Sequence, residues 1–309
     1  MKLVKLCYRI KYSLKKVFDI DVGDPFFEIL IKCYYRVFKS RKLGISLENE
    51  RKRKLIISMT SIPARIDKVW LVVESLLKQT YKPDKIILWL AKDEFRNITL
   101  PERLKEQQAR GLQICYSDNL RSYKKFYFTA KEYPGDYIVT VDDDIIYAEN
   151  MLETLVKSYR KNPGCVICNR SHQVEKYSAR LQGYDKWLKY EDREFIEWKP
   201  SFYNFFVGCG GTLFPMFMLS RKVLDKDAFM EFAPYADDVW LNFCAWKSGI
   251  KTVNTKGILG HIITIESSSN EGLSRANVMY RRNDVQINQV LKYLEIDINQ
   301  YLCDDRLKG

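Results

Sequence analysis

Three consecutive aspartates follow an apolar run in the segment YIVTVDDDIIY, residues 137–147. The run consists of β-branched and aromatic residues typical of a buried strand, and Pro134 and Gly135 bound it upstream. Neighbouring carboxylates repel by roughly 4 kcal/mol per pair at an effective dielectric of about 20 and a gap of about 4 Å. Because no basic residue lies close to the triplet in sequence, we expect either open solvent or a bound cation to offset this repulsion.

A divalent cation that prefers oxygen ligands is one candidate for that role. Mg²⁺ and Mn²⁺ bind carboxylates, and both also accept oxygens from a diphosphate group. The segment lacks the D-x-D-x-D-G spacing of an EF-hand calcium loop. The alternative is a solvated acidic turn, which the position directly after an apolar strand disfavours.

Two other sets of residues have side chains suited to chemistry. Asp237 and Asp238 stand at the predicted start of an apolar helix, where carboxylates interact favourably with the helix macrodipole. They are therefore either capping residues only, or one of them is a general base at a cleft. His261, in GILGHIIT, is one of two histidines, and it either has no chemical role or is a third metal ligand from a late loop.

The elements that would position these residues alternate between strands and helices. The sequence predicts strands at LIISMTS, KIILWL, LQICYS and YIVTV, and helices over residues 66–77, 124–132 and 152–159. This order predicts an α/β fold of Rossmann type with a mainly parallel central sheet. Ligands of such sheets bind beyond the carboxyl ends of the strands, where we expect both the triplet and the loop TSIPAR.

Residues 171–206 are rich in aromatic side chains and show no clear periodicity. These rings either form the core of an insertion or line a wall against a flat ligand such as a sugar. The glycine-rich turn GCGGT, residues 208–212, follows, and backbone can approach a ligand closely there. This turn has neither the spacing of a dinucleotide fingerprint nor the lysine of a P-loop.

The basic character of the chain is concentrated at its N-terminus. The net charge is +12, and residues 1–54 hold 15 lysines and arginines against 6 acidic residues. Residues 2–18 have the apolar spacing of a basic amphipathic helix, and PFFEILIKCYYRVFKSRK reads as a second helix, too short and interrupted to span a bilayer. The extension therefore either lies on an anionic membrane surface or packs on the main domain. Nucleic acid is disfavoured, since the basic residues alternate with bulky apolar ones.

The eight cysteines are scattered, which favours reduced thiols in a cytosolic setting. Cys165 and Cys168 form a CxxC within the apolar run CVIC. Because side chains three apart on a strand point to opposite faces, we expect buried thiols here and not a zinc or redox site.

Together these segments resemble the GT-A-fold glycosyltransferases, particularly bacterial enzymes that build capsule or lipopolysaccharide. ISMTSIPARI resembles their first-strand loop over the nucleotide, and VESLLKQTYKPDKIILWL resembles the helix and strand that follow. VTVDDDIIY carries the D-x-D signature, and ADDVWLNF resembles an acidic pair at a helix start, where many relatives have Glu-Asp. The resemblance covers residues 55 to about 265.

The resemblance implies a role for each candidate residue. The residues that would contact the donor nucleotide are Thr60, Ser61, Pro63, Arg65, Lys124, Lys125, Asp142 and Asp143. The ligands for Mn²⁺ or Mg²⁺ would be Asp142, Asp144 and His261. Asp238, or else Asp237, would be the general base, which implies inversion at the anomeric carbon. A retaining mechanism, in which that carboxylate only holds the acceptor, stays open.

The resulting hypothesis is a metal-dependent hexosyl- or N-acetylhexosaminyltransferase. Its donor would be a nucleoside diphosphate sugar, with UDP favoured, and its acceptor a glycan or lipid-linked glycan of a bacterial surface polysaccharide. Residues 1–54 would place it peripherally on the cytoplasmic face of the inner membrane, residues 55–147 would bind nucleotide, and residues 148–265 would bind the acceptor. The GT-A domain would extend to residue 285, with a helical tail over residues 286–309.

Two alternatives belong to other functional classes. A sugar nucleotidyltransferase also uses metal-bound carboxylates, but it would usually have glycine in its first loop, where TSIPARI has none. A non-catalytic basic protein that binds membrane or nucleic acid would not need the aspartate triplet.

Overall fold

The computed structural model describes residues 2–18, 20, 23–47, 51–178, 180–188, 199–255, 262–265 and 282–302. The helices in these ranges are α1 Leu3–Phe18, α2 Asp24–Val37, α3 Ile66–Leu77, α4 Glu102–Gln108, α5 Lys124–Glu132, α6 Met151–Lys161, α7 Lys226–Phe232, α8 Asp237–Lys247 and α9 Arg282–Tyr293. The strands are β1 Leu55–Thr60, β2 Lys85–Ala91, β3 Leu112–Ser117, β4 Tyr137–Thr140, β5 Val166–Cys168, β6 Ser171–Gln173, β7 Lys176–Tyr177, β8 Arg180–Leu181, β9 Asn204–Phe206, β10 Thr212–Pro215 and β11 Thr252–Asn254. The predicted strands and helices of the central region are confirmed close to their predicted bounds.

Seven of the described strands form one sheet in the order β11-β5-β10-β4-β1-β2-β3. β10 runs antiparallel to β4 and β5, whereas the other neighbouring strands are parallel. The predicted α/β fold with a mainly parallel sheet is therefore confirmed. Since Thr212 at the start of β10 lies opposite Thr140 at the end of β4, the glycine-rich turn before β10 reaches the same edge as the aspartate triplet.

Helices cover both faces of this sheet, and β1 shows how alternation produces that burial. Leu55, Ile57 and Met59 face a hydrophobic cluster that contains residues of α1, α2, α3 and α6. Ser58 points the other way, where its hydroxyl shares a hydrogen bond of 2.7 Å with Thr129 of α5. A second cluster on that face contains residues of α5, α7, α8 and α9. Full burial of each such aliphatic side chain contributes about 1.5–3 kcal/mol.

One face of α1 and one face of α2 belong to the domain core. Val4 of α1 and Ile31 of α2 are fully buried in the same cluster as β1. The backbone N–H groups of Val4 and Lys5 each donate to the Glu149 carboxylate at 2.9 Å, which satisfies donors that a helix start leaves unpaired. The alternative in which the N-terminal helices pack on the main domain therefore holds for these faces, whereas contact with a membrane stays a prediction for their outer side.

Asp24, at the start of α2, ties both N-terminal helices to residues 262–265. Its carboxylate forms an ion pair with Lys11 of α1 and accepts a hydrogen bond from the backbone N–H of Thr264 at 3.2 Å. The next residue, Ile265, donates its backbone N–H to the carbonyl of Asp144 at 2.7 Å. The N-terminal helices therefore help to hold the chain beside the aspartate triplet.

Most described aromatic rings between residues 171 and 206 are buried in a core cluster or pack against it. Trp187, Phe205 and Phe206 are almost fully buried in the cluster that contains α8, which supports the interpretation of this region as part of a core. Tyr190 and Trp198 lie outside the described residues. Cys168 is buried in β5, and burial raises the pKa of its thiol, as expected for an unreactive buried cysteine.

Candidate active site

The triplet Asp142–Asp144 lies just beyond the carboxyl end of β4, as predicted. The backbone N–H of Asp142 donates to the hydroxyl of Tyr147 at 2.8 Å. Tyr147 is fully buried, so it fixes the start of the turn from inside the core. The turn then presents its three carboxylates to three different surroundings.

Asp143 joins the loop after β4 to the loop after β1. One carboxylate oxygen accepts a hydrogen bond from the Ser61 hydroxyl at 2.5 Å, and the other accepts from the Arg65 guanidinium at 2.7 Å. Asp143 is also 7% exposed. Because both oxygens are engaged inside the protein, Asp143 positions the two loops, and its contact with nucleotide stays a prediction.

Asp144 is the most accessible carboxylate of the triplet. Its side chain is 34% exposed, and it lies 3.1 Å from the same Arg65 guanidinium. Burial, followed by the negative charge of Asp142, raises the pKa of Asp144 to about 6. A small pocket of about 190 Å³ opens beside it, lined also by Arg65, Asp143 and Lys68.

Lys125 connects the triplet to the second acidic pair. Its ammonium lies 2.6 Å from Asp142 and 3.3 Å from Asp237 of α8. Burial by itself lowers the pKa of this ammonium, but the two carboxylates outweigh burial and raise the pKa above its ordinary value. The fold thus gathers two acidic clusters, far apart in sequence, around one buried cation.

Asp237 and Asp238 form the first turn of α8, as predicted. Burial raises the pKa of Asp238 to about 7, and the charge of Asp237 adds to this shift. The backbone N–H of Val239 donates to one oxygen of Asp238 at 2.9 Å, which opposes the shift. Asp238 therefore combines a favourable position at a helix start with the pKa of a base that works near neutral pH.

The other predicted residues divide between the site and its surroundings. Thr60 donates its hydroxyl to the carbonyl of Trp89 at 2.8 Å, and Pro63 begins the short 3₁₀ turn that carries Arg65. The Lys124 ammonium donates to the side-chain carbonyl of Asn119 at 3.3 Å, and burial lowers the pKa of this ammonium. His261 lies outside the described residues.

The glycine-rich turn was predicted to allow close approach of backbone, and Gly208 lies beside the Lys125–Asp142 pair. A methyl group in place of its hydrogen would stand 3.5 Å from the Lys125 ammonium and 3.8 Å from the Asp142 carboxylate. This turn therefore borders the charged centre directly. The sequence did not identify Tyr147 or Ile265 as neighbours of the triplet, because a buried phenol and a backbone N–H carry no signal of such a role.

The repulsion within the triplet is partly offset by the protein itself. Arg65 and Lys125 supply two cations from loops and helices upstream, in addition to any solvent or ion. Even so, burial and then the charge of Asp142 disfavour the ionised form of Asp144 and raise its pKa. A further cation would be favoured there.

The free carboxylate oxygens of the triplet fit a hard divalent cation only if further ligands complete its coordination. Among the described residues, no group of three histidine, cysteine or acidic side chains has the geometry of a metal site. Asp144 and the second oxygen of Asp142 would hold Mn²⁺ or Mg²⁺, with diphosphate oxygens completing the ligands. This use of a bound diphosphate is common for Mg²⁺, which is usually held by one or two carboxylates.

A model of glycosyl transferase family 2 matches residues 65–226, just over half of the chain. No curated protein sequence matches the chain. The matched range contains Arg65, Lys125 and the triplet, and it ends before α8.

Several solved structures resemble the chain at low identity. The mannosyltransferase PcManGT from Pyrobaculum calidifontis, in complex with GDP-Man and Mn²⁺, has a TM-score of 0.47 at 12% identity over 96% of this chain and 76% of its own. Glucosyl-3-phosphoglycerate synthase from Mycobacterium tuberculosis, in complex with Mn²⁺, UDP and glucosyl-3-phosphoglycerate, has a TM-score of 0.44 at 15% identity over 79% and 81%. A cytidylyltransferase from Leptospira borgpetersenii has a TM-score of 0.42 at 11% identity over 77% and 97%. Sequence identities and TM-scores this low support no conclusion about the substrate or activity of this chain.

Proposed function

The chain belongs to glycosyl transferase family 2, and on that basis we propose that it transfers a sugar from a nucleoside diphosphate sugar to an acceptor hydroxyl. The observation that carries the proposal is the contact of Lys125 with both Asp142 and Asp237. This contact supports a site in which the carboxylates proposed for the donor and its metal lie beside the acidic pair proposed for the acceptor. Family membership and the glycine-free first loop both count against a sugar nucleotidyltransferase.

In the proposed reaction, Asp238 is the general base. The acceptor oxygen forms a bond to the anomeric carbon, the bond from that carbon to the diphosphate breaks, and Asp238 accepts the hydroxyl proton. A carboxylate with a pKa near neutrality is an effective base at neutral pH. Asp237 is less suited because its carboxylate is already engaged by Lys125. Direct attack with this base inverts the anomeric centre.

The donor would lie over the loops after β1 and β4. Arg65 is oriented by Asp143 and faces Asp144, so its guanidinium is available to a diphosphate at the same edge. Mn²⁺ or Mg²⁺ held by Asp144 and Asp142 would stabilise the charge that develops on the diphosphate leaving group. We propose UDP as the nucleotide and a hexosyl or N-acetylhexosaminyl group as the sugar.

A thermal-shift titration with UDP, GDP and CMP, each with and without Mn²⁺, tests the donor proposal. Ligands that bind the native state raise the melting temperature by mass action. We expect UDP with Mn²⁺ to raise it, at about 2.7 kcal/mol of stabilisation when the ligand is at one hundred times its Kd. A rise with CMP alone, or no rise with any nucleotide, would contradict the proposed donor.

The outer face of the N-terminal helices supports a peripheral position on the cytoplasmic face of a bacterial inner membrane. On α2 the side chains of Phe26, Ile29 and Val37 are 59%, 62% and 73% exposed, on the side opposite the buried Ile31. No described helix is long and apolar enough to cross a bilayer. Basic residues on and beside these helices are exposed as well: Lys2, Arg9, Lys16, Arg36 and Lys39. Anionic lipids attract such residues by about 1 kcal/mol each near the surface.

This surface would bring the site to a lipid-linked glycan acceptor of surface polysaccharide synthesis. The apolar face would enter the headgroup region while the basic residues contact anionic lipids. Because Asp24 links α1 and α2 to residues beside the triplet, the same helices both support the site and present it to the membrane.

Replacing Phe26 and Ile29 together with glutamine should abolish co-flotation with vesicles that contain phosphatidylglycerol. Both side chains are exposed, so the melting temperature should change little. The matched control is Val285→Gln on α9, which removes an aliphatic side chain of 56% exposure from another helix. Unchanged flotation of the double variant, or a change only in oligomeric state, would contradict membrane binding through α2. Deletion of residues 1–50 would be a less specific test, because it would also remove part of the core.

A further inference from the structure

A second pocket, distant from the aspartate triplet, lies between the C-terminal end of α2 and the outer faces of α3 and α4. We call it the α2–α4 pocket. Its volume is about 430 Å³, and its lining includes Tyr35, Arg41, Trp70, Arg103 and Gln107. Trp70 and Glu74, the α3 residues that line it, are roughly 7 and 13 Å along the helix axis from Arg65, at a rise of about 1.5 Å per residue. The pocket is therefore separate from the proposed donor site.

The charged groups that line the α2–α4 pocket leave it with excess positive charge. Glu74 is neutralised within the protein, by Arg110 at 2.5 Å and Lys78 at 3.6 Å. Among the described residues, Lys39, Arg41 and Arg103 form no ion pair, and Glu106 is the one remaining acidic group of the lining. The Arg103 guanidinium lies 4.1 Å from the centre of the Trp70 ring, which holds it in place at the pocket wall.

Two buried polar atoms of the same lining lack a hydrogen-bond partner. Tyr35 is 3% exposed and Gln107 is 4% exposed, yet neither the Tyr35 hydroxyl nor the Gln107 carbonyl oxygen is bonded within the described residues. Gln107 is oriented because its amide nitrogen donates to the Trp70 carbonyl at 2.9 Å and to Glu74 at 3.3 Å. A buried polar group without a partner costs about 1–3 kcal/mol, so a ligand that reaches both atoms through small side-chain rotations is favoured.

We propose that the α2–α4 pocket binds a phosphate group that carries a neighbouring hydroxyl, as in a glycerophosphate. The phosphate would accept hydrogen bonds from Arg41, Arg103 and the Tyr35 hydroxyl, since guanidinium groups match phosphate oxygens in pairs. The ligand hydroxyl would donate to the Gln107 carbonyl oxygen. Burial raises the pKa of Tyr35 well above its ordinary value, which keeps this hydroxyl a donor.

Two sources can supply this chemistry, a soluble polyol phosphate or the headgroup of an anionic lipid. The pocket adjoins the C-terminal end of α2, where Val37 and Phe38 are exposed. The residues Lys39 and Arg41, which line the pocket, follow them in the chain. A lipid headgroup would thus reach the pocket from the face that we propose to contact the membrane. The inference about the pocket does not depend on the transferase reaction.

The test measures binding of two probes to the full-length protein at low salt. Glycerol 3-phosphate is titrated calorimetrically, and vesicles of phosphatidylcholine with or without phosphatidylglycerol are used for flotation. Arg103→Gln should weaken binding by about tenfold or more, because a hydrogen bond to a charged group contributes at least that factor. Tyr35→Phe should also weaken binding while it keeps the ring in place. Lys105→Gln, which removes a positive charge from α4 outside the pocket lining, is the matched control and should bind like the wild type.

Glycerol 3-phosphate binding that is sensitive to Arg103 and Tyr35 supports the pocket with a soluble ligand. Binding only to phosphatidylglycerol vesicles, with the same sensitivity, supports it with a lipid headgroup. If neither probe binds, or if both pocket variants bind like Lys105→Gln, the proposal is wrong. If both pocket variants bind like Lys105→Gln, the protein can still bind membranes through Phe26 and Ile29. The pocket proposal and the membrane proposal can therefore be rejected independently.

Discussion

Asparagine in place of Asp144 should abolish metal-dependent transfer and leave the fold intact. The carboxylate is 34% exposed and is the member of the triplet least engaged by the protein, so its loss removes a metal ligand and little packing. Metal stabilisation of a leaving group contributes several kcal/mol, so turnover should fall at least about a hundredfold. The UDP-dependent rise in melting temperature should also lose its dependence on Mn²⁺.

The stability of this variant gives an independent readout. Because burial and Asp142 raise the pKa of Asp144 to about 6, its ionised form is disfavoured in the folded protein. The carboxylate therefore costs stability increasingly as the pH rises from about 4 to about 6, and the cost is complete above that range. At neutral pH Asp144→Asn should then melt no lower than the wild type.

A matched carboxylate outside the site controls for the loss of charge. Asp227 on α7 is exposed, and Asp227→Asn should leave turnover and nucleotide binding unchanged. Retention of full Mn²⁺-dependent activity in Asp144→Asn would show that this carboxylate is not a metal ligand.

Asparagine in place of Asp238 should lower turnover by about 10²–10⁴-fold while binding of the donor nucleotide stays within a few-fold of the wild type. General base catalysis contributes a factor of that size, and asparagine cannot accept the proton of the acceptor hydroxyl. Steady-state kinetics and the UDP titration together separate turnover from donor binding. Turnover that survives in Asp238→Asn would contradict the assignment of this residue as the base.

The pH profile distinguishes Asp238 from its neighbour. Because the pKa of Asp238 is raised to about 7, turnover of the wild type should fall about tenfold per pH unit below that value, as the base becomes protonated. Asp237 raises this pKa, so Asp237→Asn should move the acidic limb of the profile to lower pH and retain most of the turnover at neutral pH. The roles of the two residues are exchanged if Asp237→Asn abolishes turnover while Asp238→Asn keeps turnover and the acidic limb of the wild-type profile.

The sequence alone determined the order of the elements and the edge of the sheet at which chemistry is expected. The strands have an apolar pattern that only burial between two helical layers satisfies, so their existence could be predicted from local residues. Parallel order then places the ends of β1 and β4 side by side, which is why the loop with Arg65 and the aspartate triplet could be assigned to one site. The helix start at Asp237 was also readable, since carboxylates favour that position.

Only the tertiary structure decided which charges neutralise which. No local pattern shows that Lys125 joins Asp142 to Asp237, or that Arg65 and Ser61 occupy both oxygens of Asp143, because these contacts join residues from distant parts of the chain. The antiparallel insertion of β10 brings Gly208 to the same centre, and a short strand carries no signal of its direction.

The N-terminal helices show the same division. Their amphipathic pattern predicted one buried and one exposed side, but an apolar stripe does not specify the surface that covers it. The structure shows that one side belongs to the domain core and that Asp24 connects it to the site, while Phe26, Ile29 and Val37 stay exposed. Spacing along a helix fixes which residues share a face, whereas the partner of each face depends on the packing of the whole chain.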